Sequence, residues 1–227
     1  MTFRYNPQFD YTLCERKETH RGRHYVSKSG VKAPSVTTIL SATKDRKELD
    51  AWRNRVGPDK ADQIVKESTD LGSLMHAHLE AHVKGEPRPG GTNMIRIMGE
   101  KMADVIINQG LDRLDEVWGV EVPLQYENLW AGTTDLVGVY DGEPCVMDFK
   151  TTNRPKTLDR IFDYRLQLNA YRLAHDHVYN TRINKLVIFM VSRDLQYQQW
   201  EFNLDSFVED EQAWLQRVAQ YYELDIE

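Results

Sequence analysis

The chain has 227 residues, of which 41% are hydrophobic and 28% are charged, and this is the composition of an ordinary globular protein with a buried core. The net charge of −6 argues against a surface covered in polyanion-binding residues, although a local basic groove would still accept nucleic acid. The two cysteines, Cys14 and Cys145, are too few for a disulfide framework, a four-cysteine zinc site or a cysteine-held iron–sulfur cluster, and no apolar run has the length of a membrane span.

The first half of the chain is predicted to contain extended segments followed by helices. Polar turn signals, such as the one at 21–23, indicate an extended beginning. The first helix is predicted to start after Ser35, a suitable N-cap, and to continue to a stop at Gly57-Pro58. The predicted bounds are 1–34 for the extended segment and 35–57, about 59–84 and about 92–109 for three helices.

From residue 116 the hydrophobic period changes from helical to alternating, which predicts strands. Three strand candidates precede a helix, two further strands and a closing helix. In chain order they are EVWGVEVPLQY, WAGTTDLVGVY, EPCVMDFKT, about 158–178, KLVIFMV, YQQWEFN and about 205–222. The Asp141-Gly142 pair between the second and third strands is a strong hairpin signal.

No repeat, low-complexity tract or flexible linker separates these elements, so the chain is predicted to form a single α/β domain over 1–227. Its predicted parts are an extended N-terminal segment (1–34), a mainly helical part (35–112), a sheet core (113–203) and a closing helix (204–227).

The third strand candidate ends in two ionisable residues, Asp148 and Lys150, which point to the same face because alternate strand residues do so. Asp135 lies on the partner strand of the same hairpin and can be brought near Asp148 by strand pairing. Two neighbouring carboxylates repel each other, and a divalent cation such as Mg²⁺ or Mn²⁺ would neutralise them. Lys150 beside such a metal could orient or deprotonate an attacking water, or steady charge on a phosphate. Two carboxylates, a divalent cation and a lysine are the groups that the hydrolysis of a phosphodiester requires.

The alternative is a surface hairpin whose acids and lysine are solvated, or a structural Asp–Lys pair. Residues outside the hairpin favour the metal site. His76 and Glu80 share one face of the long helix, and a neutral imidazole is a competent metal ligand. Gln167 and Tyr171 share a face of the next helix and could contact a phosphate or a base, or brace the lysine.

One further acid, Glu121, alternates with Val120 and Val122 and could join the acid cluster, although a solvated strand residue is the alternative.

Four motifs in this order carry a family resemblance. They are G-x-x-x-H-x-x-L-E (Gly72, His76, Leu79, Glu80), G-T-x-D (Gly132 to Asp135), D-x-K-T (Asp148 to Thr151) and Q-x-x-x-Y (Gln167, Tyr171). Together they resemble the RecB-like branch of the PD-(D/E)XK nuclease superfamily. Within that branch, the additional PSVTTIL segment and Trp52 make the chain resemble most the mitochondrial genome maintenance exonucleases and related phage or bacterial single-strand DNA exonucleases.

The resemblance implies a restriction-endonuclease-like α-β-β-β-α-β core with a mixed sheet flanked by helices, and a helical N-terminal elaboration. It also implies that His76, Asp135 and Asp148 hold one or two Mg²⁺ or Mn²⁺ ions, with help from the Phe149 carbonyl. Lys150, Asp148 and Asp135 would be catalytic. The supporting or DNA-binding residues would be Glu80, Gln167, Tyr171, Thr151, Arg154 and Lys156.

Basic residues are concentrated in two segments, one after the catalytic strand and one near the N-terminus. Phosphate contacts from such residues would make DNA binding fall with salt. They include Arg154, Lys156, Arg160 and Arg165 in the first segment, and Arg16, Lys17, Arg23 and Lys28 in the second. The aromatic residues Tyr25, Trp52 and Tyr164 could stack on bases of a single strand, with core packing as the alternative.

The expected function is a metal-dependent DNA exonuclease that prefers single strands with a free end. The alternatives are a structure-specific or duplex endonuclease of the same fold and a non-catalytic DNA-binding recombination accessory protein. Replication or recombination proteins are expected partners, and the chain is expected to be monomeric. Because the opening MTFRYNPQFD does not resemble a signal or transit peptide, the cytoplasm of a bacterial or phage-infected cell is expected, and the mitochondrial matrix is not.

Overall fold

The computed structural model describes residues 3–19 and 22–224. The predicted turn at 21–23 begins at Arg21, which lies outside the described residues. The first half consists, in chain order, of β1 (Arg4–Tyr5), β2 (Cys14–Thr19), β3 (Gly22–Ser27), β4 (Lys32–Pro34), α1 (Val36–Ala42), α2 (Lys47–Val56), α3 (Pro58–Lys84) and α4 (Met94–Gln109).

The second half alternates between strands and helices as its periodicity predicted. Short 3-10 turns at 111–113 and 158–161 precede its first strand and its first helix. The elements are β5 (Leu114–Tyr126), β6 (Trp130–Tyr140), β7 (Glu143–Thr152), α5 (Phe162–Tyr179), β8 (Lys185–Ser192), β9 (Tyr197–Asn203) and α6 (Leu204–Leu224).

The main sheet has the strand order β1-β5-β6-β7-β8-β9. Strands β5 to β7 form an antiparallel meander, and β8 lies parallel to β7 because helix α5 returns the chain to the same end of the sheet. Strand β9 is antiparallel to β8, so the sheet is mixed. The α-β-β-β-α-β core predicted from the family resemblance is confirmed.

Each face of the main sheet is covered by helices and forms its own hydrophobic core. Val146 of β7 belongs to the core under α1, α5 and α6, whereas its neighbour Met147 belongs to the core under α3 and α4. This alternation follows from the strand period of two residues. Asp148 therefore shares the α5 side of the sheet with Val146.

The single helix predicted over 35–57 is wrong, because residues 43–46 separate α1 from α2. Ser35 does cap α1, since its side chain accepts a hydrogen bond from the Thr38 amide. At the other end, the Thr43 hydroxyl donates to the Ile39 carbonyl, and the Asp45 carboxylate accepts from the amide of Lys47. The Thr43 hydroxyl bond adds to the main-chain bond at the same carbonyl, and the Asp45 bond takes the Lys47 amide out of a continuing helix, so a new helix starts at Lys47.

The predicted helix ends at glycines are confirmed. Gly57 and Gly85 follow α2 and α3 with φ angles of 87° and 69°, in the region that glycine adopts with little strain. Among the described residues, no helix combines the length and apolar character needed to cross a membrane.

Strands β2, β3 and β4 form a separate antiparallel sheet, hereafter the small sheet, within the segment predicted to be extended. It packs on β6, where Tyr25 and Ala33 lie against Ala131 and the Tyr25 hydroxyl hydrogen-bonds the Thr133 hydroxyl at 2.8 Å. The small sheet consequently stands at one end of the β6–β7 hairpin.

Candidate active site

The β6–β7 hairpin carries two acids to the same point. Its ladder runs from Tyr140–Glu143 to Leu136–Met147 and then stops. Beyond that point the Asp135 carboxylate accepts the Phe149 amide hydrogen at 2.6 Å, so a side chain takes the place of a main-chain partner. The strands open here, and Asp135 and Asp148 adjoin in the opening.

His76 reaches this opening from the middle of α3. Its Nδ1 lies 3.2 Å from Oδ1 of Asp135, and its ring meets the Phe149 ring edge to face with centroids 6.1 Å apart. The neighbouring helix residues Met75 and Leu79 are fully buried, so the helix is fixed against the sheet and His76 is held at its margin.

Glu121 joins the group from β5. The register pairs Val120 with Leu136 and Val122 with Thr134, which places Glu121 across from Asp135. Its φ of 52° is in the left-handed region, uncommon for glutamate, and such strain is often found at functional sites. Ligand atoms of His76, Glu121 and Asp135 all lie within 4.8 Å of one another. One imidazole and two carboxylates at this separation are a suitable donor set for a divalent cation such as Mn²⁺.

Asp148 and Lys150 form an ion pair beside this group of three. Both side chains are largely buried, and the Lys150 ammonium also lies 5.1 Å from the centre of the Tyr164 ring. Oδ2 of Asp148 is buried and faces the Lys150 ammonium. A carboxylate oxygen has more than one lone pair, so this atom can contact the ammonium and still coordinate a cation.

The charges of the opening shift one another's pKa values. Burial disfavours the His76 imidazolium, but the negative charge of Asp135 and the hydrogen bond to it prevail and raise the pKa of His76 to about 9. Burial raises the pKa of Asp148 to about 6 against the opposing effect of Lys150. Displacement of water, together with the charge of Asp135, raises the pKa of Glu121 to about 7 even though the residue as a whole is exposed. Both carboxyl groups ionise less readily chiefly because they are taken out of water, and the charge of Asp135 adds to this effect.

All of these side chains line one cavity of about 330 Å³ between α3, the β5–β7 strands, α5 and the small sheet. Hereafter it is called the cleft. The residues lining the cleft are Arg16, Arg23, Tyr25, Ser35, Thr37, Gly72, Ser73, His76, Glu121, Gly132, Thr133, Asp135, Asp148, Lys150, Gln167 and Tyr171. Every one of the four sequence motifs therefore contributes to the same cleft.

Residues 46–224 match the sequence profile of the PD-(D/E)XK nuclease superfamily. The chain belongs to that superfamily. Curated relatives include mitochondrial genome maintenance exonuclease 1 from Xenopus tropicalis, which is 28% identical over 83% of this chain and 57% of its own length. The protein of the same name from Mus musculus is 27% identical over 96% of this chain and 69% of its own length. The chain thus spans between about half and two thirds of these relatives. A solved structure of a phage-related exonuclease from Haemophilus somnus overlaps with a TM-score of 0.42 at 12% identity, covering 86% of this chain and 95% of that one.

Two of the PD-(D/E)XK motifs are joined by a close contact. A Cβ on Gly132 would lie 2.4 Å from Cε1 of Tyr171, so only glycine allows the ring to pack there. The Tyr171 hydroxyl accepts a hydrogen bond from the Gln167 amide at 2.9 Å, and both side chains are buried. Gln167 and Tyr171 therefore form one wall of the cleft.

Four predicted supporting residues lie outside the cleft. Glu80 is ion-paired with Lys84, and only its charge acts on Glu121. Arg154 is exposed, while Thr151 and Lys156 line a neighbouring cavity of about 200 Å³. The Phe149 ring packs in the core and its amide binds Asp135, while the metal-binding role of its carbonyl stays a prediction.

Other residues of the cleft carry no clear signal in the sequence. Ser35 is predicted only as a helix cap, Thr133 only as a member of the G-T-x-D motif, and Thr37 and Ser73 belong to no predicted site. Arg16 and Arg23 had been noted only as members of a basic segment, because nothing local shows that β2 and β3 fold back onto β6. Of the proposed stacking aromatics, Tyr25 lines the cleft but is buried and Tyr164 lies beside Lys150, whereas Trp52 is half-buried on α2.

Proposed function

We propose that this chain is a divalent-metal-dependent DNA exonuclease that acts on single strands with a free end. The observation that carries the proposal is the convergence of His76, Glu121 and Asp135 next to the Asp148–Lys150 pair inside one cleft. Membership of a nuclease superfamily and curated relatives named as exonucleases support the same activity.

His76, Glu121 and Asp135 would hold a first Mg²⁺ or Mn²⁺ ion, and Asp148 with the Phe149 carbonyl would complete its shell or contribute to a second ion. A bound ion of this kind supplies Lewis-acid polarisation of a phosphate and a more acidic water. Asp135 has a further task, because its second oxygen holds the Phe149 amide and so fixes the end of β7 that carries Asp148 and Lys150.

Lys150 supplies the positive charge that the reaction needs at the phosphate. The negative charges of Asp148 and Asp135 outweigh its burial and raise the pKa of Lys150, so its ammonium is protonated at neutral pH. A buried ammonium stabilises the charge that develops on phosphate oxygens more strongly than an exposed one, because water screens it less. Tyr164 keeps the ammonium in place by a cation–π contact.

An endonuclease of the same fold and a non-catalytic accessory protein are the alternatives, and one digestion experiment separates all three. End-labelled linear single strands and circular single strands are incubated with the wild type and with Asp148→Ala, with and without Mg²⁺ or Mn²⁺. We expect metal-dependent loss of the linear strand alone, abolished in the variant. Cleavage of the circle would show an endonuclease, and no cleavage of any DNA or RNA form would favour the accessory protein.

The biological setting is proposed from the sequence alone. We expect a monomer that works with replication or recombination proteins in the cytoplasm of a bacterial or phage-infected cell. Size-exclusion chromatography with light scattering tests the monomer, since a mass near twice 26.5 kDa would contradict it.

A further inference from the structure

The small sheet presents one of its faces to the catalytic sheet. Its register pairs Arg16 with Tyr25 and Glu18 with Arg23, and side chains of directly paired residues lie on the same face. Tyr25 on this face is buried and hydrogen-bonded to Thr133 of β6. Arg16, Glu18 and Arg23 consequently share the face that turns towards the catalytic residues, and both arginines line the cleft.

The main chain at Arg23 is held in place from outside the small sheet. Its carbonyl accepts two hydrogen bonds, from the Ser35 amide at 2.9 Å and from the Thr38 hydroxyl at 3.1 Å. Both donors belong to the capped start of α1, which packs in the core beneath the main sheet. The guanidinium group of Arg23 is thus attached to a fixed backbone, while 39% of its side chain stays accessible.

The Glu18 carboxylate is the anion that pairs with the two arginines. Its carboxylate forms a short ion pair with Arg16 and lies 3.8 Å from Arg23. Its side chain is 67% exposed and that of Arg16 is 49% exposed, so water screens this contact. Exposed ion pairs of this kind are weak, and a phosphate that can take two parallel hydrogen bonds from a guanidinium competes well with a carboxylate.

The carboxyl groups of the cleft and its arginines lie on different sides. The acidic side consists of Glu121, Asp135 and Asp148, with His76 and Lys150 placed among them, and the arginines of the small sheet form the basic side of the same cavity of about 330 Å³. Because both arginines line the same cavity as the acids, a single strand with one phosphate at the acids would run past the arginine side chains. The basic side cannot bind the metal, and it is placed to bind the substrate backbone.

We propose that Arg16 and Arg23 form a clamp for a backbone phosphate adjacent to the one that is cleaved, and that Glu18 fills this clamp until the phosphate displaces it. The proposal rests on the proposed function for its substrate and adds the positioning residues and their internal counter-anion. The arginines act on binding and register, and they take no part in bond cleavage.

The test measures binding of a fluorescein-labelled oligothymidylate by the full chain in EDTA, so that no cleavage is needed. Arg16→Ala and Arg23→Ala are each expected to raise Kd several-fold, and the double variant about tenfold or more. Each lost phosphate contact should also reduce the slope of log Kd against log salt concentration by about 0.7. Arg16→Gln and Arg23→Gln serve as second variants if an alanine variant unfolds early in a thermal melt.

Lys17→Ala is the matched control, because Lys17 lies between Arg16 and Glu18 on β2 but points to the opposite face of the small sheet and is exposed. It should bind within about twofold of the wild type, with at most a small change in salt slope. Glu18→Gln should bind about two- to fivefold more tightly, because the competing anion is gone. In metal-dependent digestion, the arginine variants should raise KM and leave kcat within about twofold.

The possible results separate this proposal from the proposed function. Arginine variants that bind and cleave like the wild type would overturn the clamp and leave the nuclease intact. An equal loss of affinity in Lys17→Ala would show general electrostatic attraction and would also overturn it. Arginine-dependent binding by a chain that cleaves nothing would support the clamp and contradict the nuclease. A wild type that does not bind the oligonucleotide at all would overturn the clamp.

Discussion

The two sides of the cleft differ in how their charges are held. On the acidic side, Asp135 and Asp148 are buried and fixed by the end of the β6–β7 ladder. On the basic side, Arg16 and Arg23 are partly exposed and form ion pairs with Glu18, another exposed residue. In the proposed roles, the groups for cleavage belong to the core of the fold, where a misplaced charge is costly, and the groups for recognition are side chains that can adjust to a flexible strand.

The largest expected effect comes from removing the Lys150 ammonium from the acidic side of the cleft. Lys150→Ala should lower kcat by about 10²–10³-fold, because a buried, oriented charge is lost from the reacting phosphate. The metal requirement should change little, since Lys150 is outside the His76–Glu121–Asp135 group. Single-turnover digestion across a Mn²⁺ titration measures both quantities.

Lys156→Ala is the matched control for this prediction, because Lys156 also lies near Tyr164, 5.9 Å from the ring centre, but does not line the cleft. Its loss should reduce kcat by less than about tenfold. Equal effects of the two lysine variants would remove Lys150 from the catalytic step.

The same contrast explains what the sequence could and could not predict. Asp135, Asp148 and Lys150 were predictable because one hairpin fixes their register, and a strong turn signal at Asp141-Gly142 marks that hairpin. Glu121 was harder to assign, because its place in the group depends on the pairing of β5 with β6 and on an unusual backbone angle.

The basic side was missed for a related reason. The position of Arg23 depends on the packing of the small sheet on β6, a contact between distant segments that leaves no periodic trace in the sequence. The break between α1 and α2 escaped prediction because side-chain hydrogen bonds of Thr43 and Asp45 compete with a helix that periodicity alone would continue.

Within the acidic side, His76 and Glu121 should differ in their effect on the metal. His76→Ala removes a half-buried imidazole, the proposed metal ligand that Asp135 orients, and it should raise the Mn²⁺ concentration for half-maximal activity by at least about tenfold. Glu121→Gln keeps one oxygen donor at an exposed position and should raise it less. An unchanged Mn²⁺ titration for His76→Ala would make this residue part of the scaffold.

The glycines of two motifs should respond oppositely to a methyl group. Gly132→Ala places a Cβ 2.4 Å from the buried ring of Tyr171 and should lower the free energy of unfolding by about 1–3 kcal/mol. Gly72→Ala meets only Thr151 Oγ1, at 3.5 Å, and lies within α3, so it should be neutral or stabilise by up to about 1 kcal/mol. Urea denaturation of both variants measures the difference. Equal stabilities would show that the Tyr171 wall can shift and is less rigid than its burial indicates.

The smallest expected effect concerns the segment that precedes the small sheet, where Phe9 and Tyr11 pack on α5 around His175. His175 is fully buried, with its two ring nitrogens hydrogen-bonded to the hydroxyls of Tyr11 and Thr181, and burial lowers the pKa of this histidine from 6.5 to about 4. The unfolded chain therefore takes up a proton between pH 6.5 and about 4 that the folded chain does not, so the stability present above pH 6.5 is lost as the pH falls through this window. From pH 6.5 to 5.5 this one residue should cost about 1 kcal/mol.

His175→Gln should flatten the fall of the unfolding free energy over this pH interval, measured in EDTA so that metal binding does not contribute. His177→Gln replaces an exposed histidine on the same helix and is the control for the substitution itself. It should change the slope less than His175→Gln does. Identical slopes would mean that water or a shift of Tyr11 accommodates the imidazolium. The segment before the small sheet would then be as open to solvent as the basic side of the cleft.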